Sequence, residues 1–430
     1  MTATTTETPP ARTEPARTLP AKPGPVLGML LAVYIFNFLD RQILSILAAP
    51  IQADLQLSDT QMGLLGGIAF ALLYSTLAVP LAWLADRTSR SWVITVSLVL
   101  WSGFTAICGL AGGFWHIFLA RLGVGIGEAG GVAPSYAIIG DYFPSSKRAF
   151  ALSIYSLGIP LGSALGVMAG GYIAATVDWR VAFVVVGLLG VLLAPLFKLV
   201  VKDVPRAPVA TGEAPKFRAI AGLLARKPAF WLLSFGAASG SMLGYGVAFW
   251  LPSLLQRSFG LDLVQTSQFF GGVLLIGGVA GVLLGGWLGD KLGRRDRAWY
   301  AWLPTLAYLC AIPFYAGGIV SGSVALAFVL FLIPQAFAYI WLGPVLSAVQ
   351  HLVAPAERAT ASSLFLLINN LIGLGGGIYA LGALSDALKP VYGDEALRWS
   401  MLFALALYGL AALFMGLAGR QLRKGWVEDV

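Results

Sequence analysis

The chain has 430 residues, of which 58% are hydrophobic and 11% charged, whereas a soluble domain carries about 25% charged residues. That much apolar surface has no place inside a water-soluble sphere of this size, so the expected solvent is lipid. The net charge of +8 does not indicate a nucleic-acid partner, because the basic residues are spread over short connections rather than gathered on a soluble module.

Residues 1–24 are rich in Thr, Pro and Arg and lack an apolar core. They read as a disordered tail without a cleavable signal. Apolar segments then follow at 26–49, 61–85, 91–112, 115–140, 149–174, 180–200, 229–256, 265–289, 298–318, 323–350, 358–384 and 397–419. Each is about long enough to cross a bilayer, and none alternates as a barrel strand does. The spacing predicts an all-α membrane protein of twelve helices. A polar, proline-containing connection at 201–228 divides them into six-helix bundles at 25–200 and 229–419, with a tail at 420–430.

Lys and Arg set the orientation. With the N-terminus inside, 22 of the 28 fall on the inner side, four (Arg180, Arg257, Lys389, Arg398) fall outside, and two lie within helices. Both termini are therefore expected in the cytoplasm and the chain in the cell (inner) membrane. Cys108 and Cys310 lie in apolar runs and read as packed thiols. His116 and His351 stand apart near helix ends, so no metal or other cofactor is expected. No G-x-x-x-x-G-K-[ST] stretch is present, which argues against ATP as the energy source.

The two halves echo each other. "LADRTSR" after the second segment and "LGDKLGRR" after the eighth both place an acid before bases, and "RAFALS" (148–153) matches "RATASS" (358–363). Related halves imply a binding site between them near the midplane and rocking of one half on the other.

The sequence resembles the major facilitator superfamily along its membrane part. In "GGWLGDKLGRRDR", Gly286, Asp290, Gly293, Arg294 and Arg295 match the superfamily's inner-loop signature; the first-half copy keeps Asp86, Arg87 and Arg90 but has Ala82 in place of glycine. "RLGVGIGEAGG" and "SLGIPLGSALG" match the motifs of helices 4 and 5. Asn37, Asp40 and Arg41 in helix 1, with Arg121 to Ala129 in helix 4, are similar to the spinster branch, which is associated with sphingolipid and lysophospholipid export. Organic-anion symporters share much of this pattern. By resemblance, Asp86, Arg87, Arg90, Asp290, Arg294 and Arg295 form a cytoplasmic gate. Gly158, Pro160 and Gly162 are read as a hinge, since proline bends a helix and small residues allow close approach.

Four ionisable residues lie deep in spans of the first half: Asp40, Arg41, Arg121 and Glu128. A charge at the bilayer centre costs about 2.5–3.5 kcal/mol on insertion scales, so they are expected to face inward and find partners. Arg121 and Glu128, seven residues apart, share one face of a helix. One reading is a proton switch in which Arg121 pairs alternately with Asp40 and Glu128, with Asp40 lining a chamber that water reaches from either face in turn. The other is a static network that fixes helix packing. Arg41 either holds an anionic head group or caps the network.

The second half offers Tyr245, Gln335, Tyr339, Trp341, Phe365, Asn369 and Asn370 instead. Arg41, Arg121, Tyr245, Trp341, Asn369 and Asn370 are the candidate substrate contacts. A charged wall facing an aromatic one suits an amphipathic lipid; a small organic anion is the alternative. The expected partners are a proton, that substrate and membrane lipid, with no nucleic acid, and the chain is expected to be a monomer. A non-transporting receptor or scaffold would not need this acid–base set, and no enzyme motif is present.

Overall fold

The computed structural model describes residues 19–205, 217–293, 295–354 and 357–427. Among the described residues every regular element is a helix. The first half holds α1 (Pro23–Ile46), α2 (Ala48–Leu55), α3 (Asp59–Gly66), α4 (Ile68–Arg87), α5 (Arg90–Cys108), α6 (Phe114–Glu128), α7 (Val132–Tyr142), α8 (Ser145–Ser156), α9 (Gly158–Thr176) and α10 (Trp179–Val200). A short α11 (Phe217–Ala225) precedes the second half, which holds α12 (Pro228–Phe259), α13 (Leu263–Gly293), α14 (Trp299–Val320), α15 (Val324–Phe337), α16 (Leu342–Gln350), α17 (Arg358–Ile368), a π-helical stretch Asn369–Gly376, α18 (Gly377–Tyr392), α19 (Ala396–Ala404) and α20 (Ala406–Gly425).

Eleven helical stretches are long and apolar enough to span a membrane. The last covers 66 residues, Arg358–Arg423, or about 99 Å, roughly three hydrocarbon thicknesses. It turns back at Gly393, whose φ of 55° suits a residue without Cβ, and α18 then packs on α19. This stretch therefore contains two of the twelve predicted segments.

Several predicted segments are broken. The fourth is interrupted at Ala129–Gly131 between α6 and α7, and the tenth at Ala338–Trp341 between α15 and α16. The fifth is interrupted at Leu157, and the eleventh loosens into the π-helix that begins at Asn369. These four breaks fall at corresponding places in the two halves, as expected where irregular backbone lines an internal cavity, whereas those at Leu47, Gly67 and Leu405 have no counterpart.

Within the proposed hinge the residues divide their work. A Cβ on Gly162 would lie 2.3 Å from the carbonyl oxygen of Ile35, one on Gly158 2.8 Å from Tyr34, and one on Gly166 2.6 Å from the carbonyl oxygen of Leu39. These glycines let α9 lie directly on α1. Pro160, in the first turn of α9 where no N–H partner is required, faces the other half, 2.9 Å from the Cβ position of Gly278 in α13.

The connection expected at 201–228 is not wholly irregular. Its start is fastened to the first half: Asp203 accepts hydrogen bonds from the Ser89 hydroxyl, the Ser91 backbone N–H (3.0 Å) and the Ser91 hydroxyl (2.8 Å), and Tyr142 donates to the Lys202 carbonyl at 2.7 Å. Its end forms α11, which buries Ile220 and Leu224. Residues 1–18 of the expected tail, and 428–430, lie outside the described residues. Cys108 is buried as expected, but Cys310 is exposed on the outer face of α14 rather than packed.

Two stability measurements follow. Gly162→Ala is expected to cost about 1–3 kcal/mol through overpacking, lowering the melting temperature of the purified protein. Gly103→Ala, in the interior of α5 with nothing within 4 Å of its Cβ position, is expected to be neutral or stabilising. Burial raises the Asp203 pKa, but the bonds from Ser89 and Ser91 and the charge of Lys198 outweigh it, holding the carboxyl below its ordinary value of 3.8. The carboxylate's contribution is therefore full at neutral pH and fades as pH falls through the lowered value. The melting-temperature gap between the native protein and Asp203→Asn should narrow as pH falls from about 5 and close only once pH has passed below the lowered carboxyl value.

Candidate functional site

The centre of the first half is set by α1, α4, α5 and α6. Successive helical residues point about 100° apart, so Asp40 and Arg41 face different neighbours. Arg41 faces the interior between the two halves, where its Nε donates to Glu128 Oε2 at 2.6 Å. Its guanidinium carbon lies 5.0 Å from the Phe38 ring centre, 5.0 Å from Phe70 and 4.5 Å from Tyr74. Asp40 faces α5 and accepts a hydrogen bond from Thr105 Oγ1 at 3.2 Å. The charges that act on it are those of Glu128 and Arg121.

Glu128 ends α6, where the backbone carbonyls present negative charge. An anion there is unfavourable, and the Arg41 cation offsets it. Glu128 is fully buried and Arg41 only slightly exposed, so breaking this pair by removing one partner costs about 3–5 kcal/mol.

Two expectations change here. The guanidinium bonded to Glu128 is Arg41, not Arg121. Arg121 has no acid within 4.0 Å among the described residues and instead lies with its guanidinium carbon 5.2 Å from the Phe70 ring. One turn beyond it, Gly125 admits the backbone of α4, since a Cβ there would sit 2.6 Å from the Phe70 carbonyl oxygen; that crossing brings α4's ring to Arg121. Asp40 does not line an open chamber in this conformation. It is 1% exposed, enclosed between α1 and α5.

A cavity with about 1090 Å³ of empty volume lies between the halves. Arg41 and Arg121 line it from the first half, and Tyr245, Tyr339, Trp341 and Phe249 from the second. Of the predicted substrate contacts, Arg41, Arg121, Tyr245 and Trp341 reach this space. Asn369 and Asn370 do not line it: Asn369 Oδ1 is engaged by Ser241 Oγ at 2.9 Å, and the π-helix turns this pair aside. Phe365 is fully buried behind Trp341. Tyr339 and Trp341 occupy the break between α15 and α16, where the chain leaves helical register and frees side chains to point inward.

At the expected inner face, Arg90 bridges Asp86 and Asp141, each at 2.6 Å. Arg87 stacks on Trp83 with 4.0 Å to the ring centre. These contacts stay within the first half. Arg295 is exposed at the end of the α13 turn, Asp290 is described in backbone only, and Arg294 lies outside the described residues.

At the opposite face the halves are tied together by Arg257, counted in the sequence only as an outer-side cation, and by groups that the sequence did not single out. Arg257 at the end of α12 clasps Asp59 at the start of α3 with two hydrogen bonds of 2.8 and 2.9 Å. Ser385 Oγ donates to the same carboxylate at 2.7 Å, and Gln52 Nε2 at 2.8 Å. Asp386 of α18 accepts from the Thr60 backbone N–H at 2.7 Å and the Thr60 hydroxyl at 2.6 Å, so it caps the N-terminus of a helix in the other half. Beneath this latch, Gly67 meets Gly375 and Gly171 meets Ser267, so closely that neither glycine has room for a Cβ.

The described geometry joins two halves at one face around a central cavity with buried charge. The chain matches the Major Facilitator Superfamily family model over residues 30–377. The chain belongs to the major facilitator superfamily. It is a spinster-like member and a multi-pass membrane transporter of the alternating-access fold. A protein named "MFS-type efflux pump" from Mycolicibacterium smegmatis is 33% identical over 94% of this chain and 94% of its own length. "Protein spinster homolog 3" from Danio rerio is 30% identical over 90% of this chain and 83% of its own length. Among solved structures, a bacterial homolog of the human lysosomal transporter spinster, inward-facing and unoccupied, superposes with a TM-score of 0.84 at 30% identity, covering 96% of this chain and all of that one.

The latch yields a prediction. In a variant with Cys108 and Cys310 replaced by alanine, spin labels at the exposed positions Ala53 and Asp394 should report one short distance population. Arg257→Gln leaves the buried Asp59 carboxylate underpaired and should lengthen and broaden that population. A shift of about 1–2 kcal/mol corresponds to a 5–30-fold change in the closed-to-open ratio. An unchanged distribution would show that the contact does not hold the halves together.

Proposed function

We propose that this transporter is proton-coupled and moves an amphipathic lipid, such as a lysophospholipid or a sphingolipid, through the central cavity. The observation that carries the reading is the division of the cavity walls. Both guanidiniums that face it come from the first half, beside Phe38, Phe70 and Ile159, while the second half offers aromatic rings together with Leu274, Leu374 and Ile378 and no charged group among its described lining residues. An ionic head and a hydrocarbon tail each find a matching wall. The lipid class is what the resemblance of helices 1 and 4 to the spinster branch implies, and the mycobacterial relative named an efflux pump supports outward movement.

The proton-coupling residues in this reading are Asp40 and Glu128. Glu128 is bonded to a cation that also faces the cargo, so adding a proton at Glu128 frees Arg41 for an anion. Asp40, enclosed against Thr105, is the second carboxylate, and Arg121 is the permanent cation between the two acids and the cavity. The inner-loop set Asp86, Arg87, Arg90, Asp290, Arg294 and Arg295 is proposed to latch the inner face when the outer latch opens. Gly158, Pro160 and Gly162 are proposed to form the hinge, with the π-helix at Asn369–Gly376 as its counterpart in the other half.

A second reading, a small organic anion carried with protons, is favoured by the polar lining of Gln42, Ser163, Ser241 and Gln335. Counterflow into liposomes separates the two: labelled lysophosphatidate should exchange, and a short-chain carboxylate should not. Asp40→Asn and Glu128→Gln should each lower proton-driven uptake at least 10-fold, flatten its pH dependence and leave counterflow substantially intact. Native pH dependence in both variants would remove the proton role.

A further inference from the structure

Phe70 is the one ring among the described residues that lies over both arginine side chains of the cavity wall, 5.0 Å from the Arg41 guanidinium carbon and 5.2 Å from that of Arg121. It is 1% exposed and borders the cavity. Tyr74, one turn further along α4, stacks on it at 5.1 Å with planes 20° apart and closes on Arg41 alone. The close crossing at Gly125 fixes the height of α4 against α6, and so fixes the ring against Arg121. Neither guanidinium is saturated. Arg121 Nε and Arg41 Nη2 are buried without a hydrogen-bond partner.

Two cations beside one another repel, and no carboxylate among the described residues lies within 4.0 Å of Arg121 to anchor it. The negative face of an aromatic ring attracts a guanidinium without neutralising it. We infer that Phe70 is a positioning residue: its ring holds Arg41 on Glu128 and holds Arg121 toward the cavity, ready for the anionic part of the cargo. The cargo half of this inference rests on the proposed function; the Arg41–Glu128 half does not.

The charged and polar groups that face this pair come from four helices. Glu128 is met by Arg41, Asp40 and Asn37 of α1 and by Arg121 of its own α6, while Arg41 is met also by Tyr74 of α4 and Tyr245 of α12. Phe70→Leu keeps an apolar side chain and removes the ring. Arg41 is then less firmly held, and Glu128 takes up a proton more readily.

The test uses the full chain in lipid nanodiscs. Dicyclohexylcarbodiimide labels protonated buried carboxyls, and mass spectrometry reads labelling at Glu128 as a function of pH. Phe70→Leu is expected to move the labelling midpoint upward by about one pH unit, while Phe70→Trp and Phe70→Tyr keep it near the native value. A purely packing role would lower thermal stability in Leu and Trp variants alike without this split. If Phe70→Leu does not fold, Phe70→Met takes its place, as a volume-conserving change without a ring. An unchanged midpoint, labelling that ignores pH, or identical behaviour of the Leu and Trp variants overturns the inference. A second arm measures equilibrium binding of lysophosphatidate and of an uncharged monoacylglycerol. The leucine variant should weaken the first about 10-fold and leave the second unchanged, and equal effects on both overturn the cargo half. Failure of the native protein to bind lysophosphatidate counts against the lipid reading and against the cargo half, while the labelling arm still judges the ring's hold on Arg41.

Discussion

The bond between Arg41 and Glu128 constrains the whole first half. It places a buried cation and anion 2.6 Å apart inside a helix bundle, where desolvation makes either charge alone expensive. The surrounding helices are arranged to reach it. The glycine stripe of α9 lets α1 carry Arg41 inward without a gap, Gly125 lets α4 bring its aromatic residues alongside, and α6 stops at Glu128 so that the carboxylate meets the cation at a helix end. Asp40, pointing the other way from the same turn, is held by Thr105 of α5. Five helices are thus positioned by a handful of side chains.

The second half contributes a different chemistry to the same cavity. Its inward groups are Tyr245, Tyr339, Trp341 and Phe249, and its breaks at Ala338–Trp341 and Asn369–Gly376 lie where two of the first half's do. The symmetry of the breaks and the asymmetry of the charges serve different ends. Matching breaks let both halves bend against a fixed centre, while unequal walls allow one end of a cargo to be distinguished from the other. The closed latch at Asp59, Arg257, Ser385 and Asp386 completes this arrangement, because motion of the halves requires a contact that can be released. Arg257 is partly exposed while Asp59 is buried, so water reaches one partner and opening does not strand both charges.

Hydropathy made the helical stretches legible, since long apolar runs have few alternatives in lipid. The breaks within them were not legible. Those at Ala129–Gly131 and Ala338–Trp341 fall within apolar sequence; only the break at Leu157 adjoins residues, Gly158 and Pro160, that marked a bend. The four buried charges were found because charge is costly there, but which of them pair in this conformation was not legible. Arg121 and Glu128 share a helix face, and spacing along one helix says nothing of which neighbour comes closer. The Phe70 and Tyr74 pair left a usable signal, two aromatics four residues apart on a helix adjoining the charged one. Asp59, Arg257 and Asp386 lay hidden among loop charges that equally serve topology. Helix α11 was taken as linker because its nine residues are too short to register as a span.

What remains is why a ring, rather than a third acid, stands between two arginines. With both acids ionised, the set of Asp40, Arg41, Arg121 and Glu128 is electrically balanced. A carboxylate placed at Phe70 would bind Arg121 and tip that balance negative, opposing any anion in the cavity. A ring attracts both guanidiniums while leaving their full charge available. Each proton then taken up by an acid leaves one cation uncompensated in a low-dielectric interior, and an anionic head group entering the cavity offsets that charge. In the proposed function, proton and cargo are therefore coupled through a count of charges, with Phe70 keeping both cations where that count is read.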